Sequence, residues 1–152
     1  MANISGEKIH ANQLLLAVEH ARRKFDLPLE QFRVTPDYER SRYDIFLELS
    51  NEVSRSDLQR ILMEVDGALS RFNVEYAQKR ASRRLSAPCL HLMSPGWADR
   101  THRQLIAAGQ RDTQCKWQIL HVERNPADED SIICSIESPT RESAVRGLGA
   151  AA

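Results

Sequence analysis

The chain has 152 residues, 41% hydrophobic and 28% charged, a composition suited to one domain around one core. Its 21 acidic residues balance its 21 basic ones, so no global field draws it to nucleic acid or to an anionic membrane. No apolar run approaches the length of a bilayer span, and the start, Met-Ala-Asn-Ile-Ser-Gly, lacks the basic and apolar blocks of a signal peptide.

Residues 9–25 read as a helix, with Leu14, Val18, Ala21 and Phe25 on one stripe and Ser5 as a candidate cap. Leu27-Pro28 ends it, because the residue before proline avoids the helical region. Two strands follow. Phe32 and Val34 alternate with polar neighbours up to a break at Thr35-Pro36-Asp37, and Tyr43, Ile45, Leu47 and Leu49 give the second strand an apolar face. The short polar connector predicts an antiparallel hairpin.

The clearest helix spans 54–72. Ser54 and Asp57 resemble a capping box, and Leu58, Ile61, Leu62, Val65, Leu69 and Phe72 trace its apolar face. Helix resumes near Asn73-Val74-Glu75-Tyr76, with Tyr76 expected to pack under the sheet. An arginine-rich stretch then leads to a third strand, Cys89 to Met93. Ser94-Pro95-Gly96 is a turn that opens a helix from Trp97 to Ala108, closed by Gly109. Trp117 to Val122 reads as a last short strand. The remainder, 125–152, reads as a mostly mobile polar tail with room for one edge strand at Ile132, Ile133 and Ile136. This order predicts an α+β domain over 1–124: a small mixed sheet of about four strands flanked by three to four helices.

No self-contained active site stands out. Glycine-rich phosphate loops, paired-histidine metal motifs and nucleophile elbows are absent, and the five histidines are scattered, so no metal site is expected. Three cysteines (Cys89, Cys115 and Cys134) form no close pair, which suits a reducing cytoplasmic setting. Lys79, Arg80, Arg83 and Arg84 form a basic cluster without stacking aromatics, the ordinary pattern of a solvated helix end, so nucleic-acid binding is not expected. Lysine, however, is scarce: Lys8, Lys24, Lys79 and Lys116 are the four among 21 basic residues. Lys116 lies in a loop after Gly109-Gln110-Arg111-Asp112, where a compact ammonium on a flexible stem can reach an anion as a point donor. Spacing alone would leave it an ordinary solvated lysine.

Four segments in order raise it above that. Ser5-Gly6-Glu7-Lys8-Ile9, Asn73-Val74-Glu75-Tyr76-Ala77-Gln78-Lys79-Arg80, Leu85 with Cys89–Leu92 and Pro95-Gly96, and Gln110 through Lys116 together resemble the C-terminal domain of the Gretchen Hagen auxin-responsive family. These are acyl acid amido synthetases of the adenylate-forming superfamily. The resemblance covers about residues 4–122, with two departures: Cys115 stands where tyrosine is usual, and Trp117-Gln118 replaces a proline–basic pair.

The resemblance implies an ATP-dependent ligase, with Mg2+, that activates a small-molecule carboxylic acid as an acyl-adenylate and passes it to an amine. It implies that this chain is the lid, inactive alone, working in cis with an N-terminal adenylation domain that holds most of the nucleotide site. Lys116 would deliver charge, Gln114 would orient the loop, and Lys8 would contact phosphate or fix the lid. Asn73, Glu75, Tyr76 and Arg80 would be structural. The other reading is a free-standing interaction module that kept the fold and lost catalysis.

Overall fold

The computed structural model describes residues 1–109, 111 and 116–138. Helix α1 spans Ala11–Phe25. It starts later than periodicity suggests because His10, not Ser5, is the residue before its first turn: His10 is extended and its amide donates to Gln13 Oε1 at 3.1 Å. Ser5 instead donates from its amide and hydroxyl to Glu7. Strands β1 (Leu29–Asp37) and β2 (Arg42–Leu49) form the expected antiparallel hairpin, with Val34 opposite Ile45. β1 runs straight through Thr35-Pro36-Asp37, where the sequence suggested a break. Pro36 is tolerated because β1 is an outer strand, so a missing N–H costs no ladder bond there.

Helix α2 (Arg55–Phe72) begins as expected, with Ser54 Oγ accepting the Asp57 amide at 3.2 Å. Leu58, Ile61, Leu62, Val65 and Leu69 are buried, whereas Phe72, placed on the same stripe, is 44% exposed. Asn73 breaks the helix and caps α3 (Val74–Ala81), accepting the Tyr76 amide at 2.9 Å. β3 (Cys89–Met93) then lies parallel to β2, the α2–α3 unit forming the crossover that parallel pairing requires. α4 (Trp97–Ala107) closes toward Gly109, whose φ of 93° suits glycine. The stretch from Trp117 to Val122 is not a strand. It touches β1 through one parallel bridge, in which Val34 donates to Ile119 at 2.7 Å and accepts from His121 at 3.0 Å. After α5 (Pro126–Asp130), β4 (Ile132–Glu137) pairs antiparallel with β3 and completes the order β1-β2-β3-β4. Strand β4 holds Ile132, Ile133 and Ile136, and residues 139–152 lie outside the described residues.

The α+β class and the mixed four-stranded sheet are as read from the sequence, with five helices among the described residues. One sheet face carries the main core: Val34, Tyr43, Ile45, Leu47 and Leu90 pack with Leu14, Val18, Leu58 and Leu62 of α1 and α2. The opposite face is also covered. Phe46, Met93 and Trp97 form a second small cluster, joined by Trp117 and Ile132. Asp44 and Glu48, which share that face with Phe46, are therefore buried rather than solvated. Glu48 accepts the Ala98 amide at 2.8 Å in the first turn of α4, where Gly96 has no side chain to cap it and a carboxylate offsets the helix dipole.

Candidate functional site

The turn before α1 is built around a buried acid. Glu7 is fully inaccessible, and its carboxylate accepts Tyr43 Oη at 2.6 Å, Ser5 Oγ at 2.7 Å and the amides of Ile4 and Ser5 at 2.8 and 2.9 Å. Burial alone would raise its pKa. The hydrogen bonds, that from Tyr43 foremost, outweigh burial and hold the carboxyl below its ordinary value. Burial, and then the hydrogen bond to Glu7, push the Tyr43 phenol up. The next residue, Lys8, is fixed by its backbone: its amide donates to Glu75 Oε2 at 3.0 Å and its carbonyl accepts Asn73 Nδ2 at 2.7 Å. A side chain at Gly6 (φ 113°) would meet Lys79 Nζ at 3.4 Å. Behind them Tyr76 is buried and donates to Asp66 at 2.6 Å, while Arg80 clamps the same carboxylate at 3.0 and 2.8 Å. Asn73, Glu75, Tyr76, Lys79 and Arg80 thus form one bracket under the Gly-Glu-Lys turn, and the Lys8 side chain is exposed.

Lys116 is exposed at the other end of the sheet and beside its other face. Its neighbour Trp117 is anchored: the indole Nε1 donates to the Phe32 carbonyl at 2.8 Å, and the ring meets Trp97 edge-on at 5.1 Å. The Arg33 guanidinium lies 4.3 Å from the Trp117 ring and pairs with Asp128 at 3.2 Å, both residues being buried. Asp128 also accepts Trp97 Nε1 at 2.8 Å, so one carboxylate holds both the cation and the start of α4. Among the described residues neither the Lys116 nor the Lys8 ammonium has a carboxylate partner, and both side chains are exposed.

The two lysines are not brought together. Lys8 follows Glu7, which bonds Tyr43, while Trp117 binds Phe32, the register partner of Leu47. Tyr43 and Leu47 are about 13 Å apart along β2. Gln114 lies outside the described residues. A cleft of about 650 Å3 lies between the end of α1 and the start of α2, lined by Phe25, Leu27, Pro28, Val53, Asp57 and others, and contains neither lysine.

Sequence reading missed the supports of both lysines. Glu7 looked like an ordinary turn acid, and Arg33 and Asp128 are 95 residues apart with nothing in their spacing to link them. The two tryptophans, Trp97 and Trp117, were the available signal of a second cluster. Also missed was a buried polar cluster on the same sheet face. Asp44 accepts Arg124 at 2.6 Å and Arg42 at 3.1 Å, and its carboxyl is lowered because contacts with His91 and Arg124 outweigh burial. Potential ligand atoms of Asp44, Cys89 and His91 lie within 4.8 Å of one another.

Comparison with known proteins adds a family to this geometry. Residues 12–125 match the model described as the GH3 family C-terminal domain. Among solved structures, one titled GH3.15 acyl acid amido synthetase superimposes with a TM-score of 0.78 at 20% identity, and one titled AtGH3.15 acyl acid amido synthetase in complex with 2,4-DB with 0.74 at 18%. Each comparison covers 91% of this chain and 26% of the other. At such identities these two likenesses speak for the fold. A search of curated proteins gave no match. No described helix is long and apolar enough to cross a membrane. With the family model spanning most of its length, the chain belongs to the GH3 family and corresponds to that family's C-terminal domain.

Proposed function

We propose that the chain serves as the closing domain of an ATP-dependent acyl acid amido synthetase, folding over a site held by an N-terminal adenylation domain in cis. The substrates are a small carboxylic acid, ATP with Mg2+, and an amine, and the setting is the cytoplasm. The observation that supports this most directly is the exposed Lys116 ammonium, without a carboxylate partner among the described residues and one residue ahead of an anchored tryptophan, in a chain of this family. Negative charge accumulates on the acid and the phosphates as the adenylate forms. A cation aimed there is worth most once closure excludes water, because the local dielectric falls. Trp117 and the Arg33–Asp128 pair limit the base from which Lys116 moves, while Gln114 orients the loop. Lys8, on its rigid bracket, contacts phosphate or fixes the closed pose. ATP and its metal bind mainly to the partner domain, and this chain contributes ammonium groups.

The test uses the full-length protein and acid-dependent ATP–pyrophosphate exchange. Lys116→Ala lowers exchange by about 100-fold, the scale of losing one charged transition-state donor. Unchanged exchange removes Lys116 from the mechanism. Absence of exchange in the wild type with any acid tested supports the interaction module instead.

A further inference from the structure

We infer that Asp44, Cys89 and His91 form a binding site for a thiophilic divalent cation of the zinc class. Cys89 and His91 are two apart on β3 and so share one sheet face, and Asp44 is the register partner of Cys89 on β2. The three offer sulfur, imidazole nitrogen and carboxylate oxygen, the mixed donor set that zinc accepts in tetrahedral sites. All three residues are buried, and their ligand atoms fall within 4.8 Å of one another.

A second observation points to the ion. His91 Nδ1 is engaged with Ser135 Oγ at 2.6 Å, and its ring stacks on Phe46 at 4.9 Å, which fixes the imidazole plane. That leaves Nε2 aimed at the cluster. It lies 3.2 Å from Asp44 Oδ1, an ion-pair distance, but outside hydrogen-bond geometry, although the residue is 94% buried. A buried nitrogen without a hydrogen bond costs stability, and a ligating histidine with its other nitrogen held by a neighbour is the usual second partner arrangement at a metal.

Charge does not oppose an ion here. In the linked ion pairs the carboxylates of Asp37, Asp44, Glu129 and Glu137 outnumber the guanidinium groups of Arg40, Arg42 and Arg124, with His91 as a further partner of Asp44, and a Cys89 thiolate would add a further negative charge. Arg124 holds Asp44 Oδ2 at 2.6 Å, leaving Oδ1, with its longer 3.1 Å contact to Arg42, as the ligand oxygen. Binding would release the Cys89 thiol proton to solvent, since the ligand is the thiolate.

Cobalt(II) is the probe, added to metal-free full-length protein without ATP. The site predicts one equivalent bound with a near-ultraviolet sulfur-to-cobalt charge-transfer band and tetrahedral visible bands, both displaced by zinc. Cys89→Ser abolishes the charge-transfer band while melting as the wild type does in chelator; His91→Gln weakens cobalt binding at least tenfold. If Cys89→Ser fails to fold, alkylation of Cys89 should be slowed by zinc in the wild type but not in His91→Gln. No charge-transfer band in the wild type, a band that survives Cys89→Ser, or alkylation indifferent to zinc overturns the assignment.

Discussion

Replacing Glu7 with glutamine tests the buried acid beneath the Lys8 turn. The wild-type carboxylate accepts four hydrogen bonds of 2.6–2.9 Å from Tyr43, Ile4 and Ser5. Glutamine can keep Oε1 for Tyr43 and Ile4, but it presents an amide NH2 to the Ser5 N–H, donor against donor. Of the two bonds to Oε2, that of the Ser5 hydroxyl can reverse and accept from the NH2, while the charge-assisted bond from the Ser5 amide is lost and that amide is left without an acceptor. Hydrogen bonds to charged groups contribute about 1.5–3 kcal/mol each, so the net loss is about 3 kcal/mol at pH 7. For a domain of this size that lowers Tm by roughly 6–12 °C.

The difference also depends on pH. The folded Glu7 carboxyl titrates below its ordinary value of 4.5. Its stabilisation is therefore complete above about 4.5 and disappears as pH falls through the lower folded value. Urea unfolding followed by fluorescence of Trp97 and Trp117, for both proteins at pH 7 and pH 3.5, reads both effects. The stability gap should be wide at pH 7 and shrink at pH 3.5, below the ordinary carboxyl value, where the unfolded wild-type chain already takes up the proton. A gap under about 0.5 kcal/mol at pH 7, or one of equal size at both values, would refute the account of Glu7 as an ionised anchor.

Other substitutions separate the two supports. Asn73→Ala removes the α3 cap and the donor to the Lys8 carbonyl, costing about 1–2 kcal/mol, with faster amide exchange at Tyr76 and Lys8 as the check. Asp128→Ala leaves Arg33 buried without its counter-ion and should cost about 3–5 kcal/mol in denaturant melts, with a blue-to-red shift in Trp97 emission as Nε1 loses its acceptor. If Asp128→Ala melts like wild type, the Arg33 cluster is not the anchor described.

Legibility in the sequence followed how local the cause was. Ser54 and the stripe from Leu58 to Leu69 give a cap and a face within one helix, and both were readable. The hairpin and the β3 strand were readable for the same reason. The ends of β1 were not, because Pro36 is harmless only once Tyr43 pairs with it on an outer strand. Residues 117–122 alternate like a strand, yet Trp117 is drawn onto Phe32 and Arg33, and only Leu120 bridges to β1. The polar face of β2 gave no sign of burial. Asp44 is covered by Arg124, 80 residues away, and Glu48 by α4, 50 residues away. Lys8 and Lys116 could be named by resemblance, while the groups holding them, Glu7 and the Arg33–Asp128 pair, depend on contacts that no single-sequence pattern encodes.

Strand β4 is the last element described, yet it shields an entire side of β3 and plugs Ile136 into the main core. A shorter polypeptide stopping at residue 125, where the family match ends, would bare the β3 backbone from Cys89 to Met93 and open a hole beside Leu90. Unpaired N–H and C=O groups beside apolar side chains recruit strands from other molecules. Such a truncated domain should self-associate in solution, whereas one carried through Glu137 keeps its own edge covered.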